Sequence, residues 1–80
     1  MMLYKGDTVK FKVEKQYEHL YPNTIPVVKI DGQKYFIGIL GDTIKSGAGD
    51  RAYISCGTLY YSIPIEDISL LSPEDVRGGM

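Results

Sequence analysis

From Thr8 to Glu14 the chain alternates strictly, with Val9, Phe11 and Val13 on one side and Lys10, Lys12 and Glu14 on the other. Period-two alternation is the signature of a strand with one face in a core and the other in water. Val27-Val28-Lys29-Ile30 forms a second β-branched run, closed by Asp31-Gly32. An Asp-Gly pair between two such runs predicts a hairpin, because both central residues of a type I′ turn need positive φ. The return strand is Gln33 to Leu40, ended by Gly41-Asp42. It places Tyr35, Ile37 and Ile39 on one face and Phe36, Gly38 and Leu40 on the other. Both faces are apolar, which predicts a central strand covered on both sides. Gly38 inside it predicts a bend or the close approach of another backbone.

Arg51 to Cys56 alternates again, with Ala52, Ile54 and Cys56 inward. Gly57-Thr58 suits a type II′ turn, and Leu59 to Ile63 returns. On that strand Tyr61 shares the face of Leu59 and Ile63, so Tyr60 is expected outside. Pro64 has no N–H and ends the ladder. Ile65 to Ile68 is too short for an α-helix and predicts one 3₁₀ turn, with a last strand over Ser69-Leu70-Leu71. Ser72-Pro73-Glu74-Asp75 is a helix start, but so little chain follows that at most one turn and a frayed tail are expected. Residues 15–25 lose the alternation and contain Pro22-Asn23. They predict a long loop carrying Tyr17, His19 and Tyr21. Ser46 to Asp50 is a second, Gly-rich loop. No Gly-Lys-Ser/Thr and no helix follow it, so it is not a phosphate loop.

The sum is an all-β chain of five or six short antiparallel strands with one 3₁₀ turn. A sheet this small leaves exposed edges unless it curls, which favours a small barrel over residues 1–72 and a flexible tail over 73–80. The hairpin from Asp31-Gly32 to Leu40, the Arg51–Thr58 segment and the closing Ile63-Pro64-Ile65-Glu66-Asp67-Ile68-Ser69-Leu70-Leu71 resemble the Tudor-like and SH3-like small barrels. That resemblance implies a fold superfamily and a binding role, not an activity. Tudor domains that read methylated side chains carry an aromatic cage, and the matching positions here are Tyr35, Phe36, Tyr53 and Tyr60. Alternation sends Tyr35 and Phe36 to opposite faces, and the chain has no Trp. Tyr17, Glu18, Tyr21 and Pro64 are similar to the residues with which SH3 domains hold peptides.

At 80 residues the chain can bury only one thin core. Its net charge is −1, against the basic excess usual in nucleic-acid binders. The local exception is a stripe of Lys10, Lys12 and Lys15, the candidate surface if nucleic acid is the ligand. Cys56 is the only cysteine, so a disulfide within the chain is excluded and a small core residue is expected. His19 is the only histidine, too little for a triad or a convincing metal site. Glu66-Asp67 and Glu74-Asp75 are explained by turn and capping positions. No catalytic residues, metal or cofactor are therefore expected, and the chain reads as a non-enzyme. No apolar run is long enough to span a membrane, and the first residues lack signal-peptide character, so a cytoplasmic protein is expected.

Seven tyrosines beside two phenylalanines are the oddest feature of the composition. Tyr joins a large apolar ring to a polar tip and is enriched where proteins touch. The expectation is a protein-binding module using Tyr17, Tyr21, Tyr53, Tyr60 and Pro64, with self-association open. On that expectation Tyr21 and Tyr60 are both dispensable for stability. A nucleic-acid-binding barrel is the alternative. Another is a small accessory protein, of the kind phages encode, that inhibits or sequesters a host factor or a nucleotide signal. A subunit of a larger complex is the last.

Overall fold

The computed structural model describes residues 3–79, so residues 1, 2 and 80, the outermost parts of the expected barrel and tail, lie outside it. Six strands form one antiparallel sheet: β1 (Thr8–Phe11), β2 (Val27–Ile30), β3 (Gln33–Ile44), β4 (Arg51–Cys56), β5 (Leu59–Pro64) and β6 (Ile68–Leu70). Neighbours run β5-β4-β3-β1-β6, with β2 paired to β3 off that path. The all-β class, the 3₁₀ turn at Ile65–Asp67 and the hairpins are as the alternation predicts. Asp31 and Gly32 both have positive φ, at 51° and 81°.

β3 holds the sheet together because it is long enough to serve two groups of strands. Phe36 is the register partner of both Phe11 on β1 and Val27 on β2, so those strands flank β3 on opposite sides. Further along, Ile39 to Ile44 pairs with β4. The inward residues Val9, Phe11, Phe36, Leu40, Ala52, Ile54 and Ile63 meet in one buried cluster. β5 and β6 stand at the two ends of the path and are joined by the 3₁₀ turn. The fold is the expected small all-β domain, and among the described residues no ladder joins the two ends of the path.

Three further expectations are corrected. Residues 15–25 are not simply a loop, since Lys15–Leu20 winds into a 3₁₀ helix. Gly41-Asp42 does not end β3; the register shifts between Leu40 and Thr43 and the strand continues to Ile44. A bulge adds residues without ending the pairing, so a Gly-Asp step reads as a stop when it is a bend. Finally, β3 is not covered along its whole outer face, because Ile39 is exposed there.

What covers the other end of that face is helix α1 (Pro73–Gly79), longer than the single turn expected, which packs on β2. Its start is a reciprocal cap: Ser72 N–H donates to Asp75 Oδ2 at 2.9 Å and Asp75 N–H to Ser72 Oγ at 3.3 Å. Val28, opposite Tyr35 and outside the main core cluster, is buried on this side of the sheet. The Lys10 ammonium reaches across to Asp75 Oδ2 and to the Leu70 carbonyl, with both charged side chains only about 15% exposed.

The hydrogen bond from Lys10, then that from the Ser72 backbone, holds the Asp75 carboxyl below the ordinary aspartate range. A depressed carboxyl stabilises the folded form above its ordinary value near ~4, and that contribution is lost as pH falls through the lower folded value. Amide NMR signals of α1 and Val28 should therefore loosen in acid in the wild type. Asp75→Asn should show that loosening already at neutral pH, with no acid step. An acid step retained in the variant would mean that another group governs the docking of α1.

Candidate functional site

The 3₁₀ helix Lys15–Leu20 starts after Glu14, three residues beyond β1, and the Glu14 carbonyl accepts the Tyr17 N–H at 2.8 Å. It ends where Tyr21 turns into the barrel. The Tyr21 ring stacks on Phe36 at 5.0 Å between centroids, and it lies 4.4 Å from Tyr61 and 6.2 Å from Phe11. This half-buried aromatic anchor fixes the helix against the open edge of the core. The residues just before it are left on the outside: Leu20 is 62% exposed and Tyr17 49%.

Lining the same cleft, of about 280 Å³, are Ile63 and Pro64 from β5 and Arg51 from β4. The Arg51 side chain is tied down by two bonds, Nε to Ser62 Oγ and Nη2 to the Ser62 carbonyl, each 2.8 Å. The lining thus combines the apolar Val13, Leu20, Ile63 and Pro64 and two tyrosines with the charged Lys12, Glu14, Arg51 and Asp67.

Burial raises the Tyr21 hydroxyl above the usual tyrosine value, and nearby Tyr61 and Cys56 add to the effect while Arg51 opposes it. Tyr61 is raised by the same desolvation, then by Cys56. The Cys56 thiol, on a buried strand position, is raised by desolvation alone. All three are neutral near pH 7, and a protonated buried thiol is a poor nucleophile. Among the described residues no three His, Cys, Asp or Glu side chains gather as a metal site, and His19 is exposed on the 3₁₀ helix.

The structure sorts the sequence-derived residues into separate places. Tyr17, Tyr21 and Pro64 come together in the cleft. Tyr53 and Tyr60 do not line it; they share the outer face of β4 and β5 with Ile39, where Tyr53 pairs with Ser62 and Tyr60 with Ser55. Tyr60 is 71% exposed, as the alternation predicts. Tyr35 and Phe36 do point apart, Phe36 into the core.

The basic stripe breaks up. Lys10 is committed to Asp75, whereas Lys12 and Lys15 line a trough of about 570 Å³ beside the cleft, together with Lys29 and Lys34. Leu20 and Arg51 in the cleft, and Lys29 and Lys34 in the trough, are not singled out by the sequence pattern. A leucine between Tyr17 and Tyr21 in a polar, Pro-containing segment is the available signal for the first.

Among the candidate tyrosines, Tyr21 is the one whose expected exposure fails, because its ring is part of the aromatic stack. Tyr21→Ala should cost about 2–3 kcal/mol in chemical denaturation, from lost burial and lost ring contacts. Tyr60→Ala, on open surface, should stay within about 0.5 kcal/mol. Equal stability of the two variants would contradict the stacking. Comparison with protein-family models, with curated proteins and with solved structures gave no match for this chain.

Proposed function

We propose that the domain is a non-catalytic protein-binding module whose cleft between the Lys15–Leu20 3₁₀ helix and β5 holds an extended apolar segment of a partner. The observation that carries this reading is that Leu20 and Tyr17, 62% and 49% exposed, line one cleft with Pro64 and the edge of Ile63. Exposed apolar side chains cost little when isolated, but grouped around a concavity they mark a surface that gains from being covered. The size of the cleft is compatible with this ligand class. At about 280 Å³ it has room for a few side chains. It suits side chains of an extended peptide, laid on a surface whose aromatic walls are already in place.

The outer face bearing Tyr53 and Tyr60 is the competing surface, since Ile39 beside them is also exposed. A displayed library of random peptides, selected against the folded protein, separates the two. Binding of selected peptides should fall at least about a hundredfold in Leu20→Asp, which places a charge in the groove, and should change less than about threefold in Tyr60→Ala. The reverse pattern would move the site to the sheet face.

A further inference from the structure

We propose that the partner segment is acidic beside its apolar part, with its carboxylates lying in the lysine trough next to the cleft; this rests on the peptide-binding reading above. Cleft and trough are neighbours, because Lys12, Val13, Glu14 and Asp67 border both. A chain lying in the first can reach the second.

The charges of the trough are unusual in two ways. Its four lysines come from different parts of the chain, yet none has a carboxylate within 4.0 Å among the described residues. The ion pairs found there are Lys5–Asp42, Lys10–Asp75 and Arg77–Glu74. In addition, Lys29 and Lys34 are direct register partners across the β2–β3 hairpin. Like charges directly opposite on adjacent strands repel and destabilise the pair. Here the Lys34 ammonium lies 5.1 Å from the centre of the Phe36 ring, and a carboxylate placed between the two ammonium groups would relieve the repulsion that remains.

Glu14, Glu18 and Asp67 also line the trough, and Glu14 accepts a hydrogen bond from Gln16 Nε2 at 2.8 Å. These acids favour a peptide with discrete carboxylates over a nucleic acid. A continuous run of phosphates gains affinity by neutralising many of its charges at once, and acids set among the lysines work against that.

The test uses synthetic peptides of about a dozen residues that share a Leu- and Pro-containing half. They differ in the other half, which is Asp/Glu, Ser/Gly or Lys/Arg. By calorimetry at low salt the acidic peptide should bind at least about tenfold tighter than the neutral one, and added salt should shrink the gap. Lys29→Glu should abolish the acidic preference while keeping or raising the melting temperature, since it turns the opposed lysines into an opposite-charge pair. Lys45→Glu, outside both grooves, should leave the preference intact.

Equal binding of all three peptides, lost in Leu20→Asp, would overturn the acidic assignment and leave the cleft standing. Absence of binding by any of them would overturn both. Tight binding of a thymidine oligonucleotide, lost in Lys29→Glu, with no advantage for the acidic peptide, would assign the trough to nucleic acid instead.

Discussion

Gly38→Ala is expected to destabilise the domain by about 3 kcal/mol, at the upper end of ordinary overpacking. Gly38 lies on the inner face of β3 between Phe36 and Leu40. A Cβ built there meets the Ile54 side chain, the Cys56 sulfur at 2.9 Å and the Ser55 carbonyl at 2.9 Å. A flexible neighbour could swing away, but a backbone carbonyl in a paired strand cannot, so β3 and β4 must separate. A domain of this size has roughly 4–12 kcal/mol in all, at ~0.05–0.15 kcal/mol per residue. With a urea dependence near ~1 kcal/mol per molar, the midpoint should fall by about 3 M. An unchanged midpoint would mean that β3 and β4 do not approach as described. Gly38→Val, with two more methyl groups, should leave the chain largely unfolded.

The second large effect is Phe11→Ala. Phe11 is fully buried, stacks on Phe36 at 5.8 Å and touches the same aromatic group as Tyr21. Removing a buried ring costs the transfer free energy of its atoms and leaves a cavity, together about 3–5 kcal/mol. In so thin a core there is little else to collapse into the space. The variant should therefore also loosen the Lys15–Leu20 helix, whose anchor, Tyr21, loses a neighbour. Hydrogen exchange at the Tyr17 and Tyr21 amides reads this directly: both should exchange faster in Phe11→Ala than in a surface variant such as Lys45→Glu. Equal exchange would separate the helix from the core.

Local rules were enough for much of this architecture. β1, β4 and β5 follow from alternation, Asp31-Gly32 from turn chemistry, the start of α1 from its Ser72 cap, and Gly38 from an unexplained small residue in an apolar run. Most of what the sequence concealed depends on contacts between distant parts of the chain. Lys10 looks like a solvated cation until Asp75, 65 positions later, closes over it. Tyr21 looks like a loop aromatic until Phe36 and Tyr61 provide a place for its ring. Val28 has its burial decided by α1, which local pattern shortened because two glycines follow Arg77.

The candidate site was half visible for the same reason. Tyr17, Tyr21 and Pro64 were legible as a set. Leu20 and Arg51 needed the 3₁₀ helix and β4 to be placed before they could be seen as parts of one cleft. The Lys29–Lys34 opposition is implicit in the hairpin register, yet its meaning depends on where Lys12 and Lys15 lie.

Amide NMR shift mapping with a display-selected peptide tests the role of the cleft most directly. The largest changes should fall on Tyr17, Leu20, Arg51 and Ile63, with Ile39, Tyr53 and Tyr60 nearly unmoved. Changes centred on Ile39, Tyr53 and Tyr60, with the 3₁₀ helix silent, would contradict it.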